Sequence, residues 1–130
     1  MSHLTKDKKP VSAMLLSALL LLPLTVLADL TVFELKIKDH LFQPSVIYVP
    51  AGEKIKMRVL NLDPSPEEFE SFSLNREKVI LGNGKATLFI GPLEPGKYEF
   101  FGEYNPDSAQ GVMIALPPAE WQTYRSNHAH

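Results

Sequence analysis

From residue 31 onward, hydrophobic and polar residues alternate with a period of two. In Thr31-Val32-Phe33-Glu34-Leu35-Lys36-Ile37-Lys38, Phe33, Leu35 and Ile37 fall on one face and Glu34, Lys36 and Lys38 on the other, which is the pattern of a half-buried strand. Residues 39–44 interrupt it and residues 45–49 form a second run. The turn Pro50-Ala51-Gly52 then leads to a third, in which Ile55, Met57 and Val59 alternate with Lys54, Lys56 and Arg58. Asn61-Leu62-Asp63-Pro64-Ser65-Pro66 reads as a loop, because its two prolines cannot donate to a ladder. A fourth run covers residues 68–74, and Gly82-Asn83-Gly84 marks a turn before a fifth over 86–90. After the corner Gly91-Pro92-Leu93-Glu94-Pro95-Gly96, Tyr98 and Phe100 alternate with Lys97 and Glu99. A polar loop over 105–111 precedes a last strand with Val112, Ile114 and Leu116. No helical period is present. Short strands separated by turns about every 8–12 residues predict an all-β, Greek-key sandwich of about seven to eight strands.

The first 28 residues follow a different pattern. Lys6, Lys8 and Lys9 stand against one acid, Asp7, and residues 11–28 run apolar through Leu15-Leu16 and Leu19-Leu20-Leu21-Leu22 to Val26-Leu27-Ala28. A basic start, an apolar middle and small or aliphatic residues at the end predict a secretory signal peptide over 1–28, cleaved after Ala28, and a periplasmic destination. The competing reading, an uncleaved anchor, would need about 18 apolar residues, and Ser12, Ser17 and Pro23 interrupt them. The expected organisation is then a folded domain over 29–118 and a flexible tail over 119–130.

Composition narrows the chemistry. The 130 residues suit one domain, and thirteen Lys and Arg against fifteen Asp and Glu give a net charge of -2. Without the leader, ten basic residues face fourteen acidic ones, a net -4. No basic surplus exists to hold a nucleic-acid backbone, so nucleic acid is not an expected partner. There is no cysteine, which removes disulfides, thiolate nucleophiles, iron–sulfur clusters and Cys-ligated copper together. No Ser-His-Asp arrangement or nucleophile elbow is present, so a stand-alone hydrolase is disfavoured and no small organic substrate is expected.

The order of these signals resembles the cupredoxins across residues 30–116: a strand, the Pro50-Ala51-Gly52 turn, a strand ending in Asn61-Leu62-Asp63, the corner Leu93-Glu94-Pro95-Gly96-Lys97-Tyr98, an aromatic strand, a polar loop, and a last strand after Gly111. More narrowly, Lys38-Asp39-His40-Leu41-Phe42-Gln43-Pro44, Pro66-Glu67-Glu68-Phe69-Glu70-Ser71, Asn75-Arg76-Glu77-Lys78-Val79 and Asp107-Ser108-Ala109-Gln110-Gly111 resemble the small periplasmic cupredoxin-like proteins of bacterial iron-permease systems and the cupredoxin domain of the EfeO proteins. The resemblance implies a copper- or iron-binding protein. Its partners would be a membrane iron permease and other periplasmic iron-uptake components, and its work would include assisting ferrous oxidation within a complex.

In blue-copper cupredoxins a Cys follows the aromatic strand, His and Met lie in the loop after it, and the first His sits at the loop end of the fourth run. Here Gly102-Glu103-Tyr104-Asn105 occupies the first of these places, so a type 1 centre has no thiolate to form on. Asn105 stands where relatives commonly carry a histidine, and Phe42 where EfeO-type domains act near the metal. If Phe72 and Leu74 face the core, Glu68 and Glu70 share that face near the loop end. With His40, the sole histidine inside the domain, and Glu103, they form the candidate metal site, an oxygen-rich set suited to iron or weakly held Cu(II). Tyr104 stands beside them, Met113 is equally well placed for packing, and His128 and His130 form a weak pair in the tail. The alternative is a sandwich that has lost its ligands and serves as a non-metal interaction module through Phe69, Phe101 and Tyr104.

Overall fold

In the computed structural model, the described residues are 30–129, with the short stretches 2–3, 9–10, 12 and 17–23 before them. Most of the expected signal peptide therefore lies outside the described residues. Among those described, no helix is long and apolar enough to cross a membrane.

Among the described residues, nine strands and one helix follow in order: β1 (Val32–Lys38), β2 (Leu41–Gln43), β3 (Val46–Pro50), β4 (Ile55–Asn61), β5 (Glu67–Ser71), β6 (Arg76–Ile80), β7 (Lys85–Ile90), β8 (Gly96–Gly102), β9 (Gln110–Leu116) and α1 (Pro118–His128). They make two sheets, ordered β2-β1-β4-β7 and β3-β9-β8-β5-β6. The pairs β1–β4 and β3–β9 are parallel and the rest antiparallel. Alternation does what the sequence pattern requires. Leu35, Ile37, Met57, Val59, Leu88 and Ile90 from one sheet meet Ile47, Val49, Phe69, Phe100, Met113 and Ala115 from the other, all buried. At the centre Phe69 stacks on Phe100 at 5.1 Å, and Phe42 meets both rings edge-on, at 6.2 and 5.1 Å. Met113 is fully buried in this core and makes a packing residue, not a ligand.

Three features differ from the sequence expectation. The fourth run is shorter than predicted: β5 stops at Ser71 and residues 72–75 turn, with Asn75 at φ 51°. Phe72 and Leu74 thus lie off the strand and do not set its face. Glu67, Phe69 and Ser71 point inward, whereas Glu68 and Glu70 point outward. Phe69, expected on an interaction surface, is 0% exposed, while Phe72 is 80% exposed. Secondly, β6 was not visible as a strand, since it is an exposed sheet edge whose only buried residue is Ile80. Thirdly, the tail expected to be flexible is helical through residue 128. Pro118 suits the first helical position, and the helix rests on the sandwich through Trp121 against Phe33 (6.0 Å) and Tyr124 against Tyr48 (4.8 Å).

Candidate functional site

The loop end of the five-stranded sheet brings together the start of β5, the end of β8 and the loop over 103–109. This loop is folded tightly on itself: Gly102 N donates to Ala109 O (2.8 Å), Asn105 N to Gly102 O (3.1 Å) and Ala109 N to Asn105 O (2.9 Å). Register sets Phe69 opposite Gly102 and Glu70 opposite Phe101. At the centre lies Glu67, which sequence reasoning passed over in favour of Glu68 and Glu70. It is 1% exposed. Its Oε1 accepts the backbone N–H of Glu68 and of Tyr104, both at 2.9 Å, and its Oε2 accepts Asn105 Nδ2–H at 2.8 Å. The signal that could have found it is its two-residue spacing from Phe69 and Ser71, directly after Pro66.

This is the place where the resemblance puts copper, and the residues do not fit that ion. The stretch Gly102-Glu103-Tyr104-Asn105, where the resemblance puts the thiolate, has no cysteine. A Cβ built on Gly102 would lie 2.6 Å from Glu67 Cδ and 2.7 Å from Ala109 Cβ, so the carboxylate fills the space. Among the described residues no buried side-chain polar atom lacks a partner, so the locus holds no orphaned donor set awaiting a metal.

The outward face of the same strands is different. Glu70 and Glu77 are directly paired across β5 and β6, and Glu68 lies two residues along on the same side. One carboxylate oxygen from each of Glu68, Glu70 and Glu77 lies within 4.8 Å of the others. Like charges opposite one another on neighbouring strands are destabilising. Among the described residues the ion pairs are Lys36–Glu34 and His40–Asp63, so no described cation within 4.0 Å neutralises these three acids. Partial burial first, and then the Glu77 charge, raise the Glu68 and Glu70 carboxyls above the ordinary 4.5; Glu103 adds to both shifts, and the Tyr104 hydroxyl opposes the rise at Glu68. Burial and the Glu68 charge likewise raise the Tyr104 phenol above 10.0. Glu77 was missed because β6 was missed.

His40 lies elsewhere. Asp39 and His40 both adopt positive φ, and their N–H groups donate to the two oxygens of Asp63, at 2.8 and 3.0 Å. His40 Nδ1 lies 3.7 Å from Asp63, and Ser108 Oγ donates to the His40 carbonyl at 2.7 Å. The imidazole therefore belongs to a loop clasp, not to the outward carboxylate cluster. His128 stacks on Tyr124 at 4.1 Å, and His130 lies outside the described residues.

The His40 backbone bond, helped by the Asp39 bond and the His40 and Lys38 charges and opposed by burial, holds Asp63 below its ordinary 3.8. A depressed carboxyl stabilises the fold above its unfolded value, and loses that contribution as pH falls through the folded one. Melting midpoints measured across acid pH should decline below 3.8, and Asp63→Asn should flatten that part of the curve while lowering the plateau.

Comparison with known proteins agrees with the fold. An uncharacterized protein of Rickettsia prowazekii (strain Madrid E) is 43% identical over 81 residues, covering 62% of this chain and 65% of that one, so the match spans just under two thirds of the relative's length. Auracyanin A, a "blue" copper protein of Chloroflexus aurantiacus, superposes with TM-score 0.59 at 12% identity over 68% of this chain and all of its own. Amicyanin from Paracoccus versutus gives 0.54 at 16%, over 68% and 85%. These likenesses show the fold, while the copper chemistry of those proteins has no thiolate to act through here. A family model described as the cupredoxin-like domain matches residues 11–115, and with two sheets in this arrangement the chain belongs to the cupredoxin-like domain family.

Proposed function

We propose that this is an exported, periplasmic cupredoxin-like protein that holds an iron or copper ion on its outer sheet face and serves iron uptake through a membrane permease and its companion components. The observation that carries the reading is the cluster of Glu68, Glu70 and Glu77, three acids whose carboxylate oxygens lie within 4.8 Å of one another with no described counter-cation, and of which Glu68 and Glu70 have raised pKa values. A cation there would relieve the repulsion that the fold otherwise sustains. Carboxylates, with the Tyr104 phenol and Glu103 alongside, are hard oxygen donors that suit iron or Cu(II) and not Cu(I). Such hard donors hold Fe(III) more strongly than Fe(II). Export is supported by the Lys-flanked apolar segment before residue 29.

The test is calorimetric titration of the protein with Fe(II) under anaerobic conditions and with Cu(II). One saturable site is expected, weakened about tenfold or more by Glu70→Gln with Glu77→Gln, and left unchanged by His40→Ala. Because protons compete for carboxylates whose pKa values lie above 4.5, affinity should fall as pH is lowered toward and through that range. Binding no tighter than millimolar, or binding lost only with the C-terminal histidines, overturns the reading.

One observation favours a docking role on the same face. Phe72 packs at a tilt against half-buried Phe101, ring centroids 5.6 Å apart, beside a groove of about 530 Å³ lined by Val46, Phe101, Pro106, Gln110 and Val112. In the interaction-module reading this pair, and not Phe69, is the contact. Phe72→Ser should then abolish co-purification with the permease while leaving cation affinity intact.

A further inference from the structure

We infer that Glu67 does in this protein what a bound ion does in the copper-holding cupredoxins: it ties the start of β5 to the β8–β9 loop, and by doing so fixes the positions of Glu68 and Tyr104 on the outer face. The second half rests on the cation-binding reading above; the first does not.

A buried carboxylate is tolerated only where its oxygens are fully used. Both oxygens of Glu67 are used, and every partner is an N–H donor: two backbone amides and the Asn105 side chain. The donors come from both segments that a metal would have to join. Two departures from the family pattern then have one cause. Asn105 supplies an N–H that donates at any pH, which a carboxylate needs and a metal does not, whereas the histidine of relatives suits a metal. Gly102 leaves room for the carboxylate that any side chain at this position would displace.

The tie also reaches outward. The N–H groups held by Glu67 belong to Glu68 and Tyr104 themselves, and Glu103 N donates to Glu68 O at 2.9 Å. The backbones carrying the outward carboxylate and phenol are therefore pinned from inside. Glu67 is a positioning residue that does not itself face a cation on that surface.

The experiment compares Glu67→Gln with Glu67→Met in the full chain, by thermal melts in chelator and by titration with Cu(II) and Fe(II). Gln keeps one carbonyl oxygen for the two backbone amides, and Asn105 can turn its own amide oxygen toward the new NH2. Met keeps the volume and accepts nothing useful. The Gln midpoint should stay within about 3 °C of the parent, and the Met midpoint should fall by about 10 °C or more. Failure of the Met protein to fold while the Gln protein folds supports the tie in the same direction. Equal melting of all three proteins overturns the tie, and so does a Gln variant that falls as far as Met.

Cu(II) or Fe(II) affinity should drop about tenfold in the folded Met variant and be retained in Gln. For the case where Met does not fold, Asn105→Ala removes a single donor and should lower the midpoint by a few degrees and the affinity severalfold. An unchanged affinity in whichever of these folds, alongside weakening by Glu70→Gln with Glu77→Gln, overturns the positioning role alone. If the outer-face variants change nothing, the cation-binding reading fails, and the melts still decide the tie.

Discussion

Phe69→Ala should destabilise the protein by about 3–5 kcal/mol, the cost of emptying a fully buried aromatic site, whereas Phe72→Ala should stay within about 0.5 kcal/mol. Phe69 is stacked on Phe100 and edge-on to Phe42, so its removal opens a cavity between the sheets that three packed rings cannot readily close. Phe72 projects from the turn after β5, is largely exposed, and packs on the outer surface against Phe101. Denaturant unfolding followed by circular dichroism separates the two. A larger loss from Phe72→Ala than from Phe69→Ala would mean that β5 faces the other way, and with it that Glu68 and Glu70 lie inside and Glu67 outside.

Gly102→Ala is expected to cost about 3 kcal/mol or more, although one methyl group is all that is added. Overpacking of a well-filled site costs about 1–3 kcal/mol by itself. Here the methyl also meets Glu67 Cδ and Ala109 Cβ at separations no packed carbon tolerates, so the carboxylate must leave at least some of its three partners. Each buried group left without a hydrogen bond adds about 1–3 kcal/mol, with strong non-additivity. The cause is checked by a double-mutant cycle. Gly102→Ala combined with Glu67→Ala should lose less than the two single losses added together, because the contacts with Glu67 disappear with its side chain while the one with Ala109 Cβ remains. Additive losses would place the strain somewhere other than against Glu67.

The sandwich was legible because a two-residue period survives wherever one face of a strand is buried, as in Phe33, Leu35 and Ile37 or Ile55, Met57 and Val59. The same rule failed at β5 because its anchors were read from Phe72 and Leu74, residues that a turn had already removed from the strand. A slip of one position reverses every side chain, so Glu67 and Phe69 exchanged places with Glu68 and Glu70. An edge strand such as β6, with a single buried residue, leaves no alternation to find, and Glu77 was lost with it. Helix α1 buries no residue fully and holds its place through Trp121 and Tyr124, too few apolar positions to write a helical period. The missing thiolate in Gly102-Glu103-Tyr104-Asn105 was plain from the chain alone, but the carboxylate that fills the space beside Gly102 was not, because that requires knowing which two loops meet.

The parallel pairing of β3 with β9 carries a consequence for how this chain comes into being. Val46–Pro50 leaves the ribosome well before Gln110–Leu116, the strand it must lie beside, and no hairpin can substitute for that pairing. Until nearly the whole domain has emerged, β3 presents an open edge of unsatisfied amides and carbonyls to whatever is nearby. Folding is then dominated by distant contacts, which form slowly, and a chain stalled or cleaved before residue 110 should be captured by chaperones or aggregate instead of resting as a partial sandwich.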